Sequence, residues 1–210
     1  ANTLARIADS YSINVREAIE LANTHRRVEI LDPGPGVGGH CLPVDPLFLS
    51  RQSEAAELIE CARSVNDQMS EYVIYQVAEA TGTLDGATVA VLGVAYKGNV
   101  SDTRNSPGLA IARSLDSVAQ SHSPLADGGD PHTDVRIHDP LVSDATLDLV
   151  SLDTAVTDAD AVIVAAAHDE FQELSPDRLG EQLANKIVID SVDLLDSSRW
   201  TDRGFEVIGL

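Results

Sequence analysis

The sequence predicts an α/β protein in which an all-helical region, residues 1–82, precedes a doubly wound parallel sheet, residues 83–210. In the first region, apolar residues recur at the spacing of an amphipathic helix. In the second, short β-branched runs alternate with helical segments, which is the pattern of strand–helix–strand units in a parallel sheet. We therefore expect two domains with this boundary, the second of them Rossmann-like.

The first region contains two short helices, a loop and a long helical segment. Residues 4–10 and 14–23 have helical spacing, and Asn14 is a good N-cap for the second helix. The stretch from Pro46 to Ala80 is predicted as one long helix with an apolar stripe. Cys61 falls within it and is predicted to be a core residue.

Five strands with intervening helices are predicted in the second region. The strands cover residues 88–93, 134–138, 161–166, 187–190 and 205–208, and the helices cover 106–119, 154–157 and 175–183. Only one glycine, Gly93, follows the first strand, so the Gly-x-Gly-x-x-Gly signature of a dinucleotide site is missing there. The Gly- and Pro-rich residues 121–133 are predicted to form an exposed, mobile loop.

The composition argues against several classes of function. No run of about 18 or more apolar residues exists, so no transmembrane helix is expected, and no signal peptide is recognisable at Ala1. Two cysteines in unrelated contexts favour a reducing cytoplasm over a disulfide framework.

The charge balance points to a halophilic protein. Asp and Glu total 34 against 14 Lys and Arg, which gives a net charge of -20 and argues against a nucleic-acid partner. Lysine occurs only at positions 97 and 186. Such a surface suits high salt, where self-repulsion is screened; an ordinary acidic protein is the alternative.

The stretch from Pro33 to Pro46 carries the strongest functional signal. Four glycines and four prolines in fourteen residues predict a shaped loop whose amides could surround an anion. A thiol, Cys41, is followed four residues later by a carboxylate, Asp45. Residue types alone leave open whether Cys41 is a nucleophile or a small buried side chain. They also leave open whether Asp45 transfers protons or caps a helix.

A second polar segment runs from Gly93 to Pro107, after the first strand, where ligands bind in sheets of this class. Lys97 could contact a phosphate or a sugar hydroxyl, or could be a solvated loop lysine. Arg104 could reach a phosphate through its bidentate guanidinium, or could pair with Asp102.

Together these segments resemble the UDP-glucose/GDP-mannose dehydrogenase family. Gly-Pro-Gly-Val-Gly-Gly-His-Cys-Leu-Pro-Val-Asp-Pro, residues 34–46, is similar to the catalytic loop of that family. Its His-Cys pair favours the branch acting on UDP-N-acetylmannosamine or UDP-N-acetylglucosamine over the UDP-glucose dehydrogenases. Tyr-Lys followed by Asp-x-Arg-x-Ser-Pro, within residues 96–107, is similar to the UDP-sugar-binding segment, and His-x-Arg at 25–27 is similar to a substrate contact often made across a dimer interface.

The resemblance implies an NAD-dependent oxidation of the sugar C6 alcohol to a carboxylate. It also implies a homodimer formed through the central helices, in a cytoplasmic enzyme of polysaccharide biosynthesis. Val192 stands where the family usually has a basic residue that touches the substrate. The roles implied are Cys41 and Asp45 as catalytic residues, His25, Arg27, Gly38, Tyr96 and Lys97 as substrate contacts, and Arg104 as a contact to the dinucleotide.

The resemblance covers essentially the whole chain but only the later half to two-thirds of a family member. An N-terminal NAD-binding domain is therefore expected to precede Ala1, and the chain alone is not expected to turn over.

Other function classes remain open. One is a non-catalytic module that binds a UDP-sugar or dimerises, although the chain retains both Cys41 and Asp45. Another is a hydrolase with His40 or His25 as the base, although the side chains of adjacent residues such as His40 and Cys41 point apart in most backbones. A zinc site has less support, because no Cys/His spacing supplies four ligands.

Overall fold

A computed structural model describes residues 1–51, 53–121 and 132–210. Residues 122–131 of the predicted mobile loop therefore lie outside the described residues. Within the described ranges, no helix is long and apolar enough to cross a membrane.

The first region is helical, as predicted. Its helices are α1 (Asn2–Ser10), α2 (Val15–Asn23), α3 (Cys41–Ser50), α4 (Glu57–Asp67) and α5 (Met69–Thr81), with a 3₁₀ turn at Glu54–Ala56. The side-chain oxygen of Asn14 accepts hydrogen bonds from the backbone N–H groups of Arg16 and Glu17 at 3.0 and 3.3 Å, so the predicted N-cap of α2 is confirmed. Gly82 ends α5 in the left-handed conformation, with φ 75°.

The prediction of one long helix from Pro46 to Ala80 is wrong. The segment is divided among α3, the 3₁₀ turn, α4 and α5. The hydroxyl of Ser53 accepts a hydrogen bond from Ala55 N–H at 3.2 Å, which starts a new turn. Gln68, between α4 and α5, keeps helical backbone angles (φ -74°, ψ -9°), so those two helices are almost continuous.

The prediction that Cys61 is a core residue is also wrong. Cys61 is exposed, and α4 has no buried residue. The predicted apolar stripe is covered only in α5, where Met69, Val73 and Val77 are fully buried. The difference arises because α5 packs against the sheet and its first helix, whereas α4 lies outside that core.

The second region is a parallel sheet wound by helices, as predicted. The strands are β1 (Thr88–Leu92), β2 (Asp134–His138), β3 (Ala161–Val164), β4 (Ile187–Asp190) and β5 (Glu206–Gly209), and the helices are α6 (Pro107–Ser121), α7 (Leu152–Val156), α8 (Asp169–Gln172), α9 (Pro176–Gln182) and α10 (Ser197–Thr201). The strand order is β2-β1-β3-β4-β5. Alternate strand residues supply two apolar cores, with α5 and α6 on one face and the later helices on the other.

This topology marks one edge of the sheet as the place for a ligand. The chain leaves β1, adds β2 on one side, and then returns to add β3 on the other side. Such a switch point creates a crevice beyond the carboxyl end of the strand. The segment from Gly93 to Pro107 begins there.

Candidate active site

The glycine-rich loop before α3 is anchored to the helical region by its own amides. Gly34 N–H donates to the side-chain oxygen of Asn2 at 2.9 Å, and Val37 N–H donates to that of Asn66 at 2.7 Å. These donors already have protein acceptors. The sequence predicted that amides of this loop could surround an anion. These two N–H groups are not available for that purpose and instead stabilise the conformation of the loop.

The same loop is fastened to the segment that follows β1. Gly39 N–H donates to the carbonyl oxygen of Arg104 at 2.8 Å, and the Asn105 side-chain amide donates to the Gly39 carbonyl at 2.7 Å. A Cβ atom on Gly38 would lie 2.5 Å from the Asn105 carbonyl oxygen and 2.9 Å from Tyr96 Cβ. Glycine is therefore required at position 38 for the packing of these two segments.

The thiol and the carboxylate lie on one face of α3. The helix begins at Cys41, and Asp45 follows one turn later; both side chains are exposed. The expectation that Asp45 opens or caps the helix is wrong, because His40 occupies the N-cap position. Pro43 falls in the first turn, where its missing N–H group is not needed, so the chain becomes helical at Cys41, five residues before the predicted start at Pro46.

Tyr96 and Lys97 lie directly beside this loop. Tyr96 N–H donates to the carbonyl oxygen of Asp102 at 2.8 Å, which folds the segment back on itself. A Cβ atom on Gly39 would be 3.0 Å from the Tyr96 ring, so the ring packs against the glycine loop. The ammonium of Lys97 lies 5.6 Å from the centroid of that ring and is exposed.

Arg104 makes the ion pair that its sequence context allowed. Its Nε donates to Asp102 Oδ2 at 2.9 Å and its Nη2 donates to the same oxygen at 2.5 Å. The hydrogen bond from Arg104 lowers the pKa of Asp102. The hydrogen bond to Asp102 raises the pKa of Arg104.

Two buried residues that the sequence did not reveal, Asp139 and His168, bind the backbone of the segment after β1. Asp139 is buried, and one of its carboxylate oxygens accepts hydrogen bonds from Val94 N–H and Ala95 N–H at 2.7 and 3.0 Å. His168 is fully buried; its Nε2 lies 3.1 Å from that oxygen, and its Nδ1 accepts a hydrogen bond from Asn99 N–H at 3.1 Å. Since Nδ1 is an acceptor, Nε2 carries the proton and donates to Asp139.

This buried pair has a defined charge state. Burial acts to raise the pKa of Asp139, but the hydrogen bonds from His168 and from backbone amides outweigh it and hold that pKa well below its usual range. Asp139 also accepts from Leu141 N–H and Val142 N–H at 2.9 and 3.0 Å, which forms the turn that follows β2. In the sequence, the position of Asp139 directly after a strand was the only signal that it could also bind the segment after β1.

His25 and Arg27 are not part of this cluster. Both are exposed in the turn that follows α2. Arg27 N–H donates to His25 Nδ1 at 3.4 Å. Across the described ranges, no hydrogen bond or ion pair joins either side chain to Cys41, Tyr96 or Lys97.

Val192 is half-buried in the apolar core on one side of the sheet. The neighbouring Asp193 pairs with Arg16 of α2 at 3.5 Å. The Arg16 guanidinium also donates to the carbonyl oxygen of Pro33 at 3.1 Å. Arg16 therefore ties the turn after β4 to the start of the glycine loop.

A cleft of about 700 Å³ lies on the other side of the glycine loop. Its walls include Pro43 and Leu47 of α3, Asn66 of α4 and Pro107 at the start of α6. Neither Cys41 nor Asp45 lines it. The thiol and the carboxylate instead lie on the exposed side of α3, and the Tyr96 ring packs on Gly39, two residues before Cys41.

Two domains of one protein family match this chain. The UDP binding domain of the UDP-glucose/GDP-mannose dehydrogenase family matches residues 90–197, and the central domain of that family matches residues 1–68. A UDP-N-acetyl-D-mannosamine dehydrogenase from Methanocaldococcus jannaschii is 40% identical over 210 residues, which are 99% of this chain and 46% of the relative.

Two solved structures share the fold. A UDP-D-ManNAc dehydrogenase from Pyrococcus horikoshii has a TM-score of 0.81 at 38% identity, over 99% of this chain and 46% of that protein. An NDP-N-acetyl-D-galactosaminuronic acid dehydrogenase from Methanosarcina mazei has a TM-score of 0.84 at 27% identity, over 99% of this chain and 46% of that protein. This chain therefore spans about half the length of the relatives that it matches.

Proposed function

Because this chain belongs to the UDP-glucose/GDP-mannose dehydrogenase family, we propose that it takes part in oxidising the C6 alcohol of a UDP-N-acetylhexosamine to the carboxylate. The observation that carries the proposal is the junction at Gly39, which holds the Cys41 loop against the segment bearing Tyr96 and Lys97. UDP-N-acetyl-D-mannosamine is the favoured substrate, because a relative with 40% identity carries that activity in its name.

The site lies between the proposed helical domain, residues 1–82, and the proposed α/β domain, residues 83–210. The exposed ammonium of Lys97 is suited to the diphosphate of a nucleotide sugar, and the Tyr96 ring beside it to the sugar or base. Gly38 lets the two segments approach at the site. His25 and Arg27 lie apart from it, so they would contact the substrate held by the second copy in a homodimer.

NAD, the oxidant that the family implies, accepts a hydride when bound. The Arg104 side chain is 64% exposed, so its guanidinium is available to a dinucleotide phosphate even while it is paired with Asp102. Only Gly93 directly follows β1, so the proposed α/β domain lacks the Gly-x-Gly-x-x-Gly signature of a dinucleotide site. Arg104 would therefore supply a single contact.

Cys41 is the proposed nucleophile for the second oxidation. Once the C6 alcohol has become an aldehyde, Sγ adds to the carbonyl carbon, a C–S bond forms and the carbonyl oxygen takes up a proton. Bound NAD would accept the hydride from that carbon, and with loss of the hydroxyl proton Cys41 would then be held in a thioester. Water then attacks the thioester carbon, the C–S bond breaks and the thiol is restored.

Asp45 is the proposed proton carrier for the hydrolysis. It lies one turn after Cys41 on the same exposed face of α3. A carboxylate there can take the proton of the attacking water through a hydrogen bond. This arrangement also explains why both side chains remain open to solvent.

The test is the amount of NADH formed per mole of sugar by the full-length gene product in molar salt. UDP-N-acetylmannosamine, UDP-N-acetylglucosamine and UDP-glucose are compared side by side. Two NADH from UDP-N-acetylmannosamine are expected, lost in Cys41→Ala and kept in Cys61→Ala. Cys61 is the matched control, since it is also an exposed cysteine but lies on α4.

Two other outcomes would change the assignment. A preference for UDP-glucose would keep the chemistry and overturn the substrate. Binding of a UDP-sugar without any NADH would contradict the catalytic proposal and favour a binding or dimerisation module.

A further inference from the structure

We propose that Asn105 is a positioning residue that fixes the start of α3 and, through it, the Sγ atom of Cys41. The inference rests on the proposed function, since it assigns a partner to the proposed nucleophile. It does not require Asn105 to touch the substrate.

The first observation is a double hydrogen-bonded bridge. The Asn105 side-chain amide donates to the Gly39 carbonyl at 2.7 Å, and Gly39 N–H donates to the Arg104 carbonyl at 2.8 Å. Both polar groups of the Gly39 backbone are thus held by two consecutive residues from the α/β region. Gly39 lies only two residues before Cys41, so little chain remains that could move independently.

The second observation is that, among the described residues, no other pair of hydrogen bonds of this kind holds the first turn of α3. The His40 side chain makes no capping hydrogen bond, and the exposed Cys41 is the first helical residue. In most helices a side-chain cap defines where the helix begins. Here the hydrogen-bonded bridge between Asn105 and Gly39 defines where α3 begins.

The third observation is that the backbone of Asn105 also packs against the glycine loop. Its φ is 50°, in the left-handed region that asparagine tolerates better than most residues. Its carbonyl oxygen lies where a Cβ on Gly38 would be 2.5 Å away. Both the side chain and the main chain of Asn105 therefore contact the loop that carries Cys41.

The consequence concerns one of the two oxidations. Converting the alcohol to the aldehyde forms no bond to sulfur, whereas converting the aldehyde to the acid requires the C–S bond to Cys41. A displaced Sγ should therefore slow the second oxidation selectively. Small displacements of a reacting group cost about 100-fold in rate.

The experiment compares Asn105→Ala and Asn105→Gly in the full-length protein. Glycine accepts the left-handed backbone but removes the amide, so it separates the hydrogen bond from the backbone strain. The matched control is Asn99→Ala, because Asn99 is also left-handed, with φ 59°, in the same segment, but its side chain bonds to Asp169. The readouts are the NAD-dependent rates with the UDP-sugar and with its 6-aldehyde, and the hydrogen exchange of Gly39 N–H.

In both Asn105 variants we expect oxidation of the 6-aldehyde to slow by about 10- to 100-fold, with release of aldehyde and an unchanged KM for the UDP-sugar. Gly39 N–H should exchange faster in both, but not in Asn99→Ala. Rescue of aldehyde oxidation by Asn105→Gly would overturn the inference, as would equal slowing of both oxidations. If Cys41→Ala still formed two NADH, the proposed function itself would fail, and the role of Asn105 with it.

Discussion

At the residue scale, Asp45 is the side chain best placed to act after Cys41. Asp45→Asn removes the proposed proton acceptor, so turnover should fall by about 100-fold or more and the thioester on Cys41 should accumulate. Mass spectrometry of the acid-quenched enzyme would detect the sugar adduct on the Cys41 peptide.

The control for Asp45 is Asp85→Asn, which alters an exposed carboxylate in the turn before β1. It should retain the parent turnover and show no adduct. Parent turnover in Asp45→Asn would remove this residue from the mechanism.

The buried pair of Asp139 and His168 makes a prediction about pH. The folded pKa of Asp139 lies below the unfolded value of about 3.9. The ionised carboxylate therefore contributes stability that is fully present above about pH 4 and is lost as the pH falls further. Asp139→Asn should lower the free energy of unfolding at pH 7 by about 3–5 kcal/mol, because buried donors lose a charged acceptor.

Denaturant unfolding between pH 7 and pH 3.5 would check this. The parent should lose more stability below about pH 4 than Asp139→Asn does. Asp148→Asn, an exposed carboxylate on the segment after Asp139, is the control and should behave like the parent. Equal acid sensitivity in Asp139→Asn and the parent would contradict the assigned charge state.

Individual site residues differed in how far the sequence could predict them. Cys41 and Lys97 stood out because a thiol in a glycine loop and a lysine in a lysine-poor chain are unusual in their surroundings. His168 did not, because it lies 29 positions from Asp139 along the chain, and the two meet only because β2 and β3 both pair with β1. Asn105 did not stand out either, because it occupies an unspecified position of the Asp-x-Arg-x-Ser-Pro motif and its contact to Gly39 appears only in the fold.

At the element scale, the strands were the easiest to predict. β2 and β4 have the predicted bounds, because short β-branched runs between turns leave little freedom in their ends. The first half of α3 was missed because its prolines argued for a loop, whereas Pro43 falls in a first turn that tolerates it. α8 and α10 were missed because helices of four and five residues are too short to show a periodic pattern.

The exposed apolar face of the helical region predicts an interface between two copies. Ile7 of α1 and Tyr11, directly after that helix, are 51% and 71% exposed, and Leu58 of α4 is 80% exposed. Such a face is more stable when covered. We expect a homodimer in solution that Ile7→Asp converts to a monomer, as measured by light scattering coupled to size-exclusion chromatography.

Leu141→Asp is the control for this interface. Leu141 is 39% exposed but lies in the α/β region, so its variant should remain dimeric. A dimer that persists in Ile7→Asp would place the interface elsewhere.

At the scale of the whole molecule, the net charge of -20 should make stability depend on salt. The Debye length falls from about 10 Å at 0.1 M to about 3 Å at 1 M, so repulsion between surface carboxylates is strongly reduced. We expect the Tm to rise between low and molar NaCl. Sucrose of matched osmolality serves as the control without screening; an unchanged Tm in NaCl would rule out a halophilic surface.

The overall architecture could be predicted from the sequence pattern, whereas the site could be located only once the fold was known. Periodicity predicted a helical region and a parallel sheet, because burial dictates which positions are apolar. The junction between the Cys41 loop and the Tyr96 segment could not be predicted from spacing, since a separation of 55 positions in the sequence does not determine how close Cys41 and Tyr96 lie in the fold. It depends on strand order, which places the segment after β1 at the edge that the loop covers.

The most direct test of the central claim is whether a UDP-sugar protects Cys41 from alkylation. Iodoacetamide labelling of Cys41 and Cys61 is followed by mass spectrometry, with and without UDP-N-acetylmannosamine. Both thiols are exposed in the structure, so both should react in the free protein. The account predicts that the sugar slows labelling of Cys41 alone and that Lys97→Ala abolishes this protection; equal labelling of Cys41 with and without the sugar would contradict it.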